Sequence, residues 1–228
     1  MTAKQRISVT VRTKTALIFG LIGILCLSSG CQAMLATFML MTGGYETKAK
    51  YKFFKGKKVA VVCLAENMTD ARYDGVPRDL AKAVGLHLGQ NVKKIQIVPP
   101  STVNKWLDRN DNVIEDFQKF GKDMEADMVL AIDLNTFQTS SHLSPGSYQG
   151  RSSTSFTVYN VKTGVIIGNE TLSEYVYPPN SVQAGMEMRE SDFKNKYVIL
   201  LAKQIACYFY SYDHRENMAM DAHSALGR

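Results

Sequence analysis

Residues Ala16–Leu27 (ALIFGLIGILCL) form an unbroken apolar run behind Lys4, Arg6, Arg12 and Lys14. Crossing a hydrocarbon core takes about 20 such residues, so this run alone is too short to span a membrane. Ser28, Ser29 and Gly30 break it, and Cys31 follows directly. A basic stretch, a short apolar stretch and then small residues are the parts of an export leader. The first 30 residues are therefore expected to precede the folded protein rather than belong to it, and the fold must be sought after Cys31.

Leu27-Ser28-Ser29-Gly30-Cys31 resembles the lipobox of bacterial prolipoproteins. The resemblance implies cleavage between Gly30 and Cys31 and a lipid on the Cys31 thiol. Each buried CH₂ contributes about 0.8 kcal/mol, so more than one acyl chain holds a protein stably on a bilayer. Two other readings stay open. Apolar residues resume at Met34–Met41 (MLATFMLM), and Ala16–Met41 taken together is long enough for an uncleaved single-pass anchor. An ordinary cleaved signal is the third. All three carry the main domain across the inner membrane. Once lipidated, Met34–Met41 would lie along the bilayer or pack on the domain. Gln32, where a retention signal would carry Asp, points by analogy with enteric bacteria to the outer membrane, with the domain facing the periplasm.

The basic balance does not indicate nucleic acid. The chain of 228 residues carries 27 basic and 21 acidic side chains, for a net charge of +6. Four of the basic residues lie in the leader, so the mature chain holds 23 against 21. A positive charge concentrated in a targeting segment is no footprint for phosphate. Cys26 leaves with the leader, and Cys63 and Cys207 remain. Both sit in apolar stretches, and two buried free thiols are expected, with a disulfide as the alternative in an exported protein. The spacing of Cys and His supports no metal site, and no cofactor is implied.

Residues 31–57 read as a lipidated N-terminus and a tether whose last part (ETKAKYKFFKGKK) is solvated, with a few docked aromatics. Its lysines suit anionic headgroups as a second reading. Lys58–Leu64 (KVAVVCL) is apolar and β-branched throughout, the pattern of a strand covered on both faces. Pro77 suits a helix start, and Leu80, Val84 and Leu88 recur at helical spacing. Lys94–Val98 alternates as a second strand, which completes a right-handed βαβ unit with parallel strands. Ser101 is expected to cap a short helix, and Asn112 with Glu115 a further one carrying Phe117 and Phe120. Asp127–Phe137 is a third strand, with Asp133 and Asn135 on its wetter side. Leu143–Gly146 is a turn, Lys162-Thr163-Gly164 a hairpin turn between two more strands, and Pro178-Pro179 a stop. Ser191 is expected to cap a last helix whose stripe is Phe193, Tyr197, Leu201 and Ile205. The order β-α-β-α-α-β-β-β-α predicts a single α/β domain over residues 58–212: a mixed β-sheet with helices packed on it, a βαβ start, a hairpin end and a C-terminal covering helix. Residues 213–228 form a polar tail.

The run KVAVV, the Pro-started helix, IQIVPP, GKDMEADMVLAIDL and the hairpin TVYNVKTGVIIG resemble one group of bacterial envelope lipoproteins. That group contains the curli-secretion-channel lipoprotein, the outer-membrane activator of a peptidoglycan synthase and the polysaccharide-export lipoprotein of the Pel system. The resemblance implies a binding role without catalysis. A transmembrane pore is not expected, because GRSSTS (150–155) lacks the alternation of a lipid-facing strand.

Candidate chemistry is sparse. No nucleophile elbow or phosphate loop is present. His87 is expected to pack at a helix rim, and His142, His214 and His223 to be solvated. Asp133 shows no partner carboxylate for acid–base work. Glu66, Asn67, Arg72, Tyr73 and Asp74 follow the first strand's C-terminal end, where open α/β sheets bind ligands, and form the one candidate loop site. The expected function is that of a lipid-anchored, periplasm-facing accessory of an envelope assembly or export machine, with an unknown envelope partner. A subunit of an oligomeric export ring is the alternative, and an envelope hydrolase the least supported reading.

Overall fold

The computed structural model describes residues 46–65, 70–140, 147–179, 183–184 and 188–213. The leader, Gly30, Cys31, Met34–Met41, Glu66, Asn67, His142, the 143–146 turn, His214, His223 and the tail beyond Asp213 lie outside the described residues.

The first long strand, β1 (Lys58–Leu64), shows why its sequence is apolar at every step. Val59, Val61 and Cys63 enter one core, Ala60 and Val62 the other, and all five are buried. Helix α1 (Val76–Asn91) then crosses to β2 (Gln96–Ile97), which lies parallel to β1 with Lys58 opposite Gln96. After α2 (Pro100–Arg109) and α3 (Phe117–Asp123), strand β3 (Met128–Ser140) joins the other edge of β1, also parallel, from Val59↔Met128 to Leu64↔Asp133. Strands β4 (Ser147–Asn160) and β5 (Ile166–Tyr177) continue antiparallel. The sheet order is β2-β1-β3-β4-β5, and the short β6 (Gln183–Ala184) pairs with the start of β4. Helix α4 (Glu190–Ala206) closes the domain. A separate ladder joins Glu46–Thr47 to Tyr212–Asp213. The architecture is α/β, with helices on a mixed sheet as the element order predicts.

Helices α1 and α4 cover one sheet face. Leu80, Val84 and Leu88 meet Phe193, Tyr197, Leu201 and Ile205 over Leu130, Ile132 and Phe156. Helices α2 and α3 cover the other face only over β1 and β3, where Val103, Leu107 and Phe120 pack on Ala60, Val62, Val129 and Ala131. Beyond them, Ser153, Ser155 and Thr157 on β4 stay half-buried, as do Asp133 and Asn135 on β3.

Several local expectations are corrected. Only Gln96 and Ile97 of the Lys94–Val98 stretch form a strand, because Lys94 turns at φ 60°. Ser101 caps nothing. Helix α2 starts at Pro100 behind Pro99 with no side-chain cap, its entry set by the prolines' fixed φ. Asn112 is not an N-cap either. Its φ of 60° is left-handed, whereas a cap needs an extended backbone. Asp116 caps α3 instead, its Oδ1 accepting from the N–H groups of Gln118 at 2.7 Å and Lys119 at 3.1 Å. Ser191 lies inside α4. Arg189 occupies the cap position, and Glu190 and Asp192 in the first turn complement the helix dipole. The hairpin is as expected: Gly164 turns at φ +71°, and Asn160 Oδ1 accepts from Lys162 N–H at 3.0 Å.

The stretch before β1 is as expected, with exposed lysines and docked aromatics: Phe54 is 1% exposed, and Tyr51 and Phe53 lean on the same core. Phe54 stacks on Phe209 at 4.4 Å between centroids, and Tyr51 N–H donates to the Tyr208 carbonyl at 2.8 Å.

Candidate functional site

At the C-terminal end of β1 the sheet opens into a groove of about 780 Å³. Leu64 and Ala65 form its floor, Tyr73, Asp74, Gly75, Pro77 and Arg78 one wall, and Leu107, Asp111, Asn112 and Val113 the other. The location follows from topology. Parallel strands leave their carboxyl ends beside the start of the next helix, and that end stays uncovered. Arg78 bridges the walls: its guanidinium donates to the Asp108 carboxylate and to Asn112 Oδ1, the latter at 3.1 Å. Asp111 and Asn112 both adopt positive φ, 52° and 60°, which folds the α2 exit back over the groove.

Of the loop residues expected from sequence, Arg72, Tyr73 and Asp74 reach this end of the sheet, while Glu66 and Asn67 lie outside the described residues. Arg72 makes a bidentate pair with Asp70, lies 5.3 Å over the Tyr73 ring, and holds the Asp70 carboxyl below its ordinary range. Tyr73 is a structural residue, 3% exposed, whose hydroxyl accepts from Thr139 N–H at 3.2 Å. Sequence reasoning missed Arg78, Asp111 and Asn112. The available signals were Pro77, which fixes Arg78 in the first turn of α1, and the Asp-Asn pair after α2.

The other candidates separate in space. Burial pushes the Cys63 thiol strongly up, with Asp133 adding to it, so it is a buried, un-ionised group. Cys207 is likewise buried and forms no disulfide, its thiol donating to the Tyr210 hydroxyl at 3.7 Å, which fits the thiol reading rather than the disulfide. Asp133, with burial the larger cause, raises the Tyr159 hydroxyl. Among the described residues no cluster of three or more His, Cys, Asp or Glu is placed to hold a metal ion. No helix among them is long and apolar enough to cross a membrane.

His87 is half-buried at the rim of α1, where it bonds the Ile199 backbone of α4. Burial lowers its pKa from the ordinary 6.5, and Lys203 adds to the shift. The unfolded chain therefore binds this proton more readily than the folded one. Stability present at neutral pH is lost as pH falls through and below 6.5. Thermal melts at pH 7 and pH 5 should show a smaller acid loss in His87→Gln than in the parent. An equal loss in both would show that His87 does not set it.

No protein-family model matches the chain, and no curated protein is similar to it. Among solved structures it is similar to the PelC dodecamer from Paraburkholderia phytofirmans, at 10% identity over 68% of this chain and 91% of that one, with a TM-score of 0.42. It is similar to lipoprotein GNA1162 from Neisseria meningitidis, at 15% identity over 65% and 97%, with a TM-score of 0.42. It is also similar to the LpoB C-terminal domain from Salmonella enterica, at 11% identity over 53% and 83%, with a TM-score of 0.34. These neighbours are bacterial lipoproteins.

Proposed function

We propose that this chain is a lipid-anchored envelope protein, held by Cys31 at the outer membrane with its domain in the periplasm, that serves an assembly or export machine by binding rather than by turnover. The observation that carries the reading is Leu27–Cys31 behind a basic, apolar leader. The α/β domain has a groove at the C-terminal end of β1 whose lining mixes apolar residues with Arg78 and Asn112, which are bridged to each other. Such a recess suits a short peptide segment: Leu64, Leu107 and Val113 offer apolar contact, and Arg78 and Asn112 hydrogen-bonding groups. Crosslinking of intact cells tests it. The chain is expected in a covalent adduct with an envelope protein, and Arg78→Glu should reduce that adduct at unchanged protein level. Recovery of the chain as a soluble cytoplasmic protein would contradict the reading.

A ring-forming subunit is the second reading, favoured by one feature. Strand β5 is a 12-residue edge with a partner on one side only among the described residues. Such an edge is a template for a further strand. Mass photometry of the detergent-extracted protein decides it: a ring gives a multiple of the protomer mass, and a single-protomer mass removes the reading.

A further inference from the structure

We propose that Lys55, Lys57, Lys93 and Lys94 form a basic face that seats the domain on anionic phospholipid headgroups of the membrane holding its N-terminus. The proposal rests on the anchoring read from Cys31. The four residues come from two separate stretches that the fold joins. Gly56 N–H donates to the Lys93 carbonyl at 3.3 Å, and Gln96 N–H donates to the Lys57 carbonyl at 2.9 Å. The tight turn at Gly56, with φ +71°, and the turn at Lys94, with φ 60°, therefore lie side by side at one end of β1 and β2.

All four side chains are exposed. Their neighbours show how lysines on this surface are otherwise used: Lys58 Nζ is paired with Glu125 Oε2 at 3.4 Å, and Lys50 with Glu170. Among the described residues no carboxylate lies within ion-pairing distance of Lys55, Lys57, Lys93 or Lys94. Asp127 and Glu125 lie beside Lys58 at this end of β1, but neither pairs with the four lysines, whose like charges raise the local positive potential that an anionic surface relieves. Two more exposed lysines, Lys48 and Lys52, lie on the stretch that enters the domain here, and the half-buried Phe53 sits among them.

The lipid surface is favoured over a free anion by chain length. Lys55 follows Cys31 by 24 residues. Even fully extended at about 3.3–3.6 Å per residue, that length keeps the face within roughly 80–90 Å of the bilayer. The domain therefore meets headgroups at a high effective concentration. A face of this kind weakens as salt screens it, since the Debye length falls from about 10 Å at 0.1 M to 3 Å at 1 M.

The test uses the full chain as extracted from membranes, reconstituted into phosphatidylcholine vesicles with or without phosphatidylglycerol. Flotation reports attachment, and amine acylation mapped by peptide mass reports each lysine. The expected result is flotation with both vesicle types, and acylation of the four lysines slowed about fivefold only with phosphatidylglycerol. Lys82 and Lys105, on the outer faces of α1 and α2, should react equally in both. The slowing should vanish in 1 M salt, and the joint Lys55→Gln, Lys57→Gln, Lys93→Gln, Lys94→Gln variant should float unchanged but leave Lys48 and Lys52 equally reactive in both vesicles. Flotation with both and equal acylation throughout would overturn the basic face and leave the anchor standing. Flotation with phosphatidylglycerol alone would overturn the anchor and support the face. Flotation with neither would overturn both.

Discussion

Truncating Phe54 to alanine is expected to destabilise the domain by about 3–5 kcal/mol, the usual cost of emptying a buried aromatic site. For a domain of this size that lowers Tm by roughly 6–20 °C. The reason is geometric. Phe54 is buried against Phe209 on one side and meets Phe53 edge-on at 5.2 Å on the other. Phe209 in turn packs on Phe156 of β4 at 5.3 Å. Removing the Phe54 ring leaves a void between the entering chain and the segment after α4, and neither can collapse without pulling on the sheet. If residues 46–58 were solvated throughout, the same change would stay within about 0.5 kcal/mol. Calorimetry or urea unfolding separates the two outcomes.

Gly150→Ala is the second large effect, expected at about 1–3 kcal/mol and above that for Gly150→Val. A Cβ at residue 150 would lie 2.4 Å from Tyr197 Cδ2 and 2.5 Å from its Cγ and Cε2. The Tyr197 ring has nowhere to go. Its hydroxyl donates to the Tyr175 carbonyl at 2.6 Å and accepts from Ser152 Oγ at 2.7 Å, and the Phe137 ring lies 5.4 Å from the Tyr197 ring between centroids. Either the ring leaves its bonds, stranding buried polar groups, or β4 bends away from α4. Ser155→Ala, on the open face of the same strand, should be nearly neutral in the same melts. A neutral Gly150→Ala would show that Tyr197 is not held as described.

These two positions also show where a sequence stops being legible. The βαβ start is readable because β1 is covered on both faces, so its apolar run needs no knowledge of its partners. The hairpin is readable because Lys162-Thr163-Gly164 places a glycine where the backbone turns left-handed. GRSSTS is harder. Ser152 is polar yet buried, because Tyr197, 45 residues on, brings a hydroxyl and a large ring onto that strand. Nothing local announces such a partner. That some aromatics at 51–54 dock is readable from the stretch itself, but the slot that takes them is made by the distant Phe156 and Phe209 and is not. The helix caps are misread for a related reason. Ser101, Asn112 and Ser191 all have the right chemistry, but prolines, a left-handed turn and a small offset along the chain place the helix starts elsewhere. At the groove, the edge of the sheet is foreseeable from topology, whereas the Arg78 bridge depends on how the α2 exit turns at Asp111 and Asn112.

On the proposed reading, a lipid attached to a single sulfur, that of Cys31, anchors this domain. Cells expressing the parent chain or Cys31→Ser, grown with labelled palmitate, should give a labelled band for the parent and none for the variant. The intact mass of the parent should correspond to a chain that starts at Cys31 and carries acyl groups. Equal label in both proteins, or a parent mass that still includes residues 1–30 without acylation, would contradict it.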